Sequence, residues 1–241
     1  MIKLLVFDLD NTILNSKKLL SDFSKNTLVS CVKSNYGLAF STARSLPDIV
    51  PFTKELSLCA IISCGGSKIQ IGKQILPTEP IDSTISMHLL KALTSTNRVK
   101  DLKIVTSKEI TNVKNSPFLE SIIPPIFKIT VTLNDRTYFY ELKEEYPSCA
   151  MFMYSDSCAF MITSSESTKC TALRKVLDFL SLGKEDVIAF GDDESDLDML
   201  MSVGTSVVVS NGKKNVKDIA THICKDNDSD GVACWIRSNL L

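Results

Sequence analysis

The chain has 241 residues, of which 44% are hydrophobic and 23% are charged, and its formal net charge is −1. This composition is typical of a globular protein with one large domain or two smaller ones, and the balanced charge favours neither a nucleic-acid partner nor a membrane surface. No apolar run approaches the ~20 residues of a membrane-spanning helix, and the N-terminal residues lack the features of a signal peptide.

The eight cysteines are dispersed, and no two are spaced as Cys-x-x-Cys, the arrangement typical of zinc knuckles and redox pairs. Most lie among apolar neighbours, so we interpret them as buried reduced thiols and predict a cytoplasmic location. His88 and His222 stand far apart in the sequence, and neither is predicted to be a ligand or a base.

The first predicted strand is the unbroken apolar run Leu4–Phe7, which suits a strand of a parallel sheet that is buried on both faces. Asp8 and Asp10 follow it directly. Ligands of open α/β sheets bind beyond the carboxyl ends of the strands, so two neighbouring carboxylates there indicate a bound cation or a reaction.

Helices and strands then alternate, which predicts right-handed parallel crossovers. The second strand leads into Thr42 and Arg44, and the third leads into a turn of small residues at 63–67, where backbone can approach a ligand closely. The predicted elements are a helix at 21–35, a strand at 38–40, a helix at 46–56 and a strand at 58–62.

The pattern changes near Pro77 and Pro80. The middle third predicts a separate small α+β unit at 79–164, inserted into the first domain. Its predicted elements are a helix at 81–93, a loop at 115–120, and strands at 102–106, 126–133, 150–154 and 159–163.

The first pattern returns from residue 165, with a helix that begins at Lys169. A buried strand at 187–190 again ends in acids, including Asp192 and Asp196. The predicted fold is therefore α/β, a doubly wound, Rossmann-like parallel-sheet core formed by 1–78 and 165–241 with an inserted α+β cap. The remaining predicted elements are helices at 197–203, 213–220 and 231–238 and a strand at 206–209.

Reactive side chains thus follow several strands whose carboxyl ends share one edge of the sheet. Clustered carboxylates are costly without a counter-ion, and hard oxygen ligands suit Mg²⁺, which favours phosphate-bearing partners. Thr42 can donate a hydrogen bond, and Lys169 stands where a helix N-terminus already favours anions. Together these groups indicate phosphoryl transfer through an aspartate nucleophile.

At this level of detail the chain resembles the haloacid dehalogenase superfamily, in particular its Cof-type sugar-phosphatase branch. The resemblance extends over essentially the whole chain. It is carried, in order, by the stretches VFDLDNT, FSTAR, ISCGGS, STKCTALRKVL, IAFGDDESDLDML, VVVSNG and SDGV.

The resemblance implies that Asp8 is the nucleophile that becomes an aspartyl-phosphate. It implies that Asp10 protonates the leaving oxygen and then activates water. Mg²⁺ would be held by Asp8, by the main-chain carbonyl of Asp10 and by Asp192.

Other roles follow from the same resemblance. Thr42 and Lys169 would bind the transferring phosphoryl group, with Asn211 as a further phosphate contact. Asp196 would orient Lys169 or a metal-bound water. Arg44 would contact substrate, since its planar fork suits phosphate or sugar oxygens.

The sequence departs from the family pattern at four motif positions. Ala43 and Gly65 stand where relatives usually have Gly and Asn, and Cys170 stands where Gly commonly follows the lysine. Ser195, a supporting site residue, replaces the usual Asn, which weakens an expected hydrogen bond on the metal side. None of these departures removes a group that makes or breaks a bond.

The predicted function is Mg²⁺-dependent hydrolysis of small phosphomonoesters, either sugar phosphates or cofactor phosphates. The expected partner is a small phosphorylated metabolite, with no nucleic acid and no membrane, and the expected state is a monomer or a weak homodimer. Two alternatives stay open: a phosphomutase that returns the phosphoryl group to its substrate, and a non-catalytic protein that binds phosphometabolites.

Overall fold

A computed structural model describes residues 3–107, 110–113, 124–154 and 157–241. The chain divides into two compact units, one formed by Met1–Pro77 and Lys169–Leu241 and the other by Thr78–Thr168. The loop predicted at 115–120 lies outside the described residues.

Strands and helices alternate along the first unit. No helix within the described ranges is both long and apolar enough to cross a bilayer. In chain order the strands are β1 (Leu4–Phe7), β2 (Gly37–Ser41), β3 (Ala60–Ser63), β4 (Lys68–Ile71), β5 (Gln74–Leu76), β6 (Val99–Thr106), β7 (Ile110–Asn112), β8 (Ile126–Leu133), β9 (Cys149–Met153), β10 (Ala159–Ser164), β11 (Val187–Gly191), β12 (Thr205–Val209) and β13 (His222–Cys224). The helices are α1 (Asp22–Lys33), α2 (Leu46–Thr53), α3 (Ser83–Ser95), α4 (Thr137–Glu145), α5 (Lys169–Leu180), α6 (Leu197–Met201), α7 (Lys214–Lys217) and α8 (Gly231–Asn239).

The first unit is built on an eight-stranded sheet in the order β13-β12-β11-β1-β2-β3-β4-β5. The strands from β13 to β3 are parallel, and β4 and β5 are antiparallel additions at one edge. The central strand β1 pairs in parallel with β11 on one side and β2 on the other. The predicted parallel-sheet core is confirmed.

Both faces of this sheet are buried, which explains the unbroken apolar run of β1. Leu4 and Val6 pack in one cluster with Leu173 of α5, whereas Leu5 and Phe7 pack in another on the opposite face. Successive side chains of a strand point to opposite faces, so each face needs its own apolar residues and its own helices. The sheet is doubly wound, as predicted.

The hairpin of β4 and β5 was not predicted, although its sequence carries a signal. Ile69 and Ile71 alternate with polar residues, and Gly72 lies between the two strands with φ of +57°. Glycine adopts this left-handed backbone without a steric cost, which makes a tight hairpin turn possible. β13 was also missed because three residues are too few to produce a pattern.

The second unit contains a five-stranded antiparallel sheet in the order β7-β6-β8-β10-β9, together with α3 and α4. Ile129 and Val131 of β8 are buried with Leu89 of α3 and Phe139 of α4. The alternation predicted for β8 therefore places one set of its side chains in an apolar core. The inserted α+β unit is confirmed as a fold. The resemblance also implies that this unit selects substrates, and that stays a prediction.

Candidate functional site

The candidate site begins at the carboxyl ends of neighbouring parallel strands in the first unit. Asp8 follows β1, Asp192 follows β11 and Thr42 follows β2, and these strands are adjacent in the sheet. The backbone hydrogen bonds between β1 and β11 continue into the site, since the Asp8 amide donates to the Phe190 carbonyl at 3.0 Å. The sheet itself therefore brings together side chains that are distant in the sequence.

Lys169 joins the two acidic strand ends. Its ammonium Nζ donates to Asp8 Oδ1 at 2.6 Å and to Asp196 Oδ1 at 2.7 Å, and all three side chains are buried. Lys169 is the first residue of α5, whose apolar residues pack on the sheet and so place its N-terminus near these strand ends. The structure thus puts the predicted lysine between two predicted acids.

Asp192 is held by partners from two other segments. The Thr12 hydroxyl donates to Asp192 Oδ1 at 2.8 Å, and the Lys213 amide donates to the Asp192 carbonyl at 2.9 Å. Asp192 is also buried. Its carboxylate therefore has a defined orientation beside Asp8 rather than the freedom of an exposed acid.

The two carboxylate oxygens of Asp196 accept hydrogen bonds from its own turn and from Lys169. Its Oδ2 accepts the backbone amides of Asp192 and Asp193, each at 3.2 Å, while its Oδ1 takes the Lys169 ammonium. A Cβ on Gly191 would lie 2.8 Å from Asp196 Cγ, so this close approach requires glycine at position 191. Asp196 is thereby held in place, with its Oδ1 on the Lys169 ammonium.

The buried acids are in excess over the buried cation. Ligand atoms of Asp8, Asp192 and Asp196 lie within 4.8 Å of one another. Lys169 supplies one positive charge against three carboxylates, which leaves two negative charges uncompensated among these four groups. This deficit equals the charge of a divalent cation, and oxygen ligands of this type are those that Mg²⁺ prefers.

The pKa values reflect the same imbalance. Burial raises the pKa of Asp8 to about 7, with Lys169 opposing the shift and Asp196 adding to it. Burial also raises the pKa of Asp192, and the charges of Asp8 and Asp196 add to this effect. Burial alone would lower the pKa of Lys169, but Asp196 and Asp8 outweigh it and hold the ammonium in its charged form.

Two of the three acids are suited to hold a cation. Both oxygens of Asp196 are engaged by Lys169 and by backbone amides, so the carboxylates of Asp8 and Asp192 are the better donors. The carboxylate of Asp10 is engaged by Arg44 instead.

Asp10 lies at the rim of the site and pairs with Arg44. Arg44 Nε and Nη2 donate to the two oxygens of Asp10, each at 2.8 Å, and Lys18 Nζ lies 3.4 Å from Asp10 Oδ1. Burial would raise the pKa of Asp10, but Arg44 and Lys18 outweigh it and the net shift is downward. The sequence predicted that Arg44 would contact substrate, whereas the structure pairs it with the predicted general acid.

The remaining predicted residues have mainly local partners. Thr42 is buried, and its Oγ1 accepts the Arg44 amide at 3.2 Å. Asn211 donates to the Asn11 carbonyl at 2.9 Å and accepts the Asn227 amide at 3.0 Å, so it ties two loops together. Ser195, the last of the predicted set, lies half-buried in the short 3₁₀ turn Glu194–Asp196.

Three residues that contact this site were not predicted. Thr12 carried a signal, since it belongs to the first motif and follows the second acid by two positions. Lys213 carried no signal beyond its place at the start of the predicted helix at 213–220, and its Nζ contacts Asp193 Oδ1 at 2.6 Å. Lys18 had no signal, because only the fold of its loop brings it to Asp10.

Known proteins resemble this chain over its full length. The profile of the haloacid dehalogenase-like hydrolases matches residues 5–120 and 97–236. The chain is 26% identical over 244 residues to 5-amino-6-(5-phospho-D-ribitylamino)uracil phosphatase YcsE of Bacillus subtilis (strain 168), an alignment that covers 100% of this chain and 96% of that protein. It is 24% identical over 270 residues to pyridoxal phosphate phosphatase YbhA of Escherichia coli (strain K12), with 99% of each chain covered.

A solved structure shows the same fold. The HAD subclass IIB sugar phosphatase BT4131 matches with a TM-score of 0.85 at 16% identity, over 98% of each chain. The parallel-sheet core, the inserted antiparallel unit and the profile match all agree with the resemblance found in the motifs. This chain belongs to the haloacid dehalogenase-like hydrolases.

Proposed function

We propose that this protein is a Mg²⁺-dependent phosphatase that hydrolyses small phosphomonoesters through an aspartyl-phosphate on Asp8. The observation that carries the proposal is the buried contact of Lys169 with Asp8 and Asp196, beside Asp192. Two relatives are named as phosphatases of a phosphoribitylaminouracil and of pyridoxal phosphate, which supports a sugar-phosphate or cofactor-phosphate substrate.

The donor set suits Mg²⁺ for a physical reason. The carboxylates of Asp8 and Asp192 and the main-chain carbonyl of Asp10 would hold the ion, whose charge matches the local deficit. When bound, Mg²⁺ supplies charge stabilisation for a transferring phosphoryl group.

In the first step, a carboxylate oxygen of Asp8 attacks the phosphorus atom, and the bond from phosphorus to the ester oxygen breaks. Asp10 gives its proton to that oxygen, so the product leaves as a neutral alcohol. Lys169 offsets the charge of the phosphoryl oxygens, and Asp196 keeps the ammonium in place. Thr42 would donate its hydroxyl hydrogen to a phosphoryl oxygen.

In the second step, Asp10 takes a proton from water as the water oxygen attacks the phosphorus of the aspartyl-phosphate. The bond from phosphorus to the Asp8 oxygen breaks, which releases inorganic phosphate and restores both carboxyl groups. The carboxylate of Asp10 is about one-third exposed, with a side-chain accessibility of 34%, so it can exchange protons with solvent between steps.

The test is release of inorganic phosphate from a panel of sugar phosphates and cofactor phosphates, with Mg²⁺ or with a chelator. We expect release that requires Mg²⁺ and that falls more than about a thousandfold in Asp8→Asn. Asp178→Asn, an exposed acid on α5, serves as the matched control and should retain wild-type rates. Folded protein that releases phosphate from no ester would refute the proposal, as would full activity in Asp8→Asn.

We propose in addition that the enzyme acts in the cytoplasm. A reduced, cytoplasmic protein fits the cysteines, because all eight are free thiols in the structure. The partner is a small phosphorylated metabolite.

A further inference from the structure

Lys18 belongs to a tight turn that follows the first acidic motif. The Lys18 amide donates to the Asn15 carbonyl at 2.8 Å, and the Asn15 amide donates to the Leu19 carbonyl at 3.0 Å. Asn15 Oδ1 accepts the amides of Lys17 and Leu19, each at 3.0 Å. These bonds close the turn and fix the direction in which the Lys18 side chain leaves it.

The backbone of Lys18 is unusual for a lysine. Its φ is +60°, in the left-handed region that glycine and asparagine adopt most easily. A lysine in this region is strained relative to glycine, so the turn geometry by itself does not favour it. The physical reason for a lysine here must therefore come from its side chain.

That side chain reaches the predicted general acid. Lys18 Nζ donates to Asn11 Oδ1 at 2.9 Å and lies 3.4 Å from Asp10 Oδ1. Arg44 holds both oxygens of the same carboxylate. Asp10 is thus placed between two cations that come from two different loops.

The loop that carries Lys18 is anchored along its length. Asp228 Oδ1 accepts the Ser16 amide at 2.7 Å, and Asn227 Nδ2 donates to the Leu14 carbonyl at 2.9 Å. Asn211 holds the Asn11 carbonyl. Because the loop is fixed to the C-terminal part of the chain, the backbone from which the Lys18 side chain reaches Asp10 is fixed as well.

We propose that Lys18 is a positioning residue for Asp10, and this inference rests on the phosphatase function proposed above. Arg44 alone would leave the Asp10 carboxyl free to turn with the guanidinium fork. Lys18 restrains Asp10 Oδ1 from a second direction, so the carboxyl group stays where it can protonate the ester oxygen and later deprotonate water.

The role of Lys18 can be tested by comparing the hydrolysis of two esters whose leaving groups differ in basicity. An alkyl phosphate, such as a hexose phosphate, releases a strongly basic oxygen that needs the proton of Asp10. p-Nitrophenyl phosphate releases a weakly basic oxygen that leaves without one. Both esters share the second step, in which Asp10 activates water, so the comparison uses kcat/KM, which reports only the steps up to release of the leaving group. Loss of a positioning residue should therefore lower kcat/KM for the alkyl ester and leave kcat/KM for the aryl ester nearly unchanged.

The experiment compares Lys18→Gly with wild type on both esters and measures thermal stability. We expect kcat/KM to fall about tenfold for a hexose phosphate and less than about twofold for p-nitrophenyl phosphate. The Tm should stay equal or rise, because glycine relieves the left-handed backbone. Lys18→Arg should restore most of the kcat/KM for the hexose phosphate.

Lys17→Gly is the matched control, since Lys17 is exposed in the same turn. The inference is overturned if Lys18→Gly behaves like this control on both esters, or if it loses both esters equally. Equal loss with a raised KM would assign Lys18 to substrate binding, and equal loss with a lower Tm would assign it to folding. A wild-type protein that releases phosphate from neither ester would instead refute the phosphatase proposal.

Discussion

Two acidic turns, one after β1 and one after β11, lie side by side in the sheet and differ in where their partners come from. In the first turn, Asp8 pairs with Lys169 and Asp10 pairs with Arg44, both from elsewhere in the chain. In the second turn, Asp196 accepts amides of its own turn. The acids that we propose to react depend on distant residues, whereas Asp196, which we propose orients Lys169, has one oxygen held by its own turn and the other by Lys169.

The acids of the two turns also differ in how far their side chains are exposed to solvent. The side chain of Asp196 is 1% accessible and that of Asp10 is 34% accessible. A buried carboxylate is suited to hold another group in place, and a partly exposed one can exchange protons with solvent. Identical residue types at the same sheet edge are therefore suited to different tasks by their surroundings.

The largest expected effect comes from breaking the link between the two turns. Lys169→Met removes the ammonium that joins Asp8 to Asp196 and leaves buried acids uncompensated. We expect the free energy of unfolding in urea to fall by about 3–5 kcal/mol, together with loss of phosphate release. Arg174→Met, on the exposed side of the same helix, should change neither, and equal stability of the two variants would contradict this account of the site.

A second expected effect tests whether the two turns share a cation. Mg²⁺ at a hundred times its Kd should stabilise the folded wild type by about 2.7 kcal/mol, which raises the Tm by several degrees in a chain of this length. Asp192→Asn should lose most of this increase, because a charged ligand becomes neutral. Exposed Asp198→Asn should keep it, and a Tm increase that survives in Asp192→Asn would place the ion elsewhere.

The smallest of the three effects concerns the local closure of the second turn. In Gly191→Ala the new Cβ would lie 2.8 Å from Asp196 Cγ, so Asp196 must shift and Lys169 with it. We expect a loss of about 1–3 kcal/mol in stability and at least a tenfold loss in kcat.

Gly183→Ala is the matched control for this change. Its new Cβ would meet only the end of the flexible Glu185 side chain, which can move aside. If both alanine variants kept wild-type kcat, the close packing at Gly191 would have no role in placing Lys169.

Much of the core could be predicted from local patterns. The run Leu4–Phe7 is apolar throughout because both faces of the strand are covered, and this signal is strong over few residues. The hairpin of β4 and β5 and the strand β13 escaped prediction. They lie at the edges of the sheet, where short strands need only a partial apolar pattern.

The sequence by itself determined the order of the strands and helices in the core and the acids that follow β1 and β11. Parallel strands share one carboxyl edge, so the meeting of these acids also followed from the pattern. Only the tertiary structure decided which basic side chain pairs with which acid. Lys169 and Asp8 are 161 positions apart, and Arg44 pairs with Asp10 rather than being left for a ligand. Such pairings depend on distances of a few ångströms between side chains from different elements, and no local pattern of residues encodes those distances.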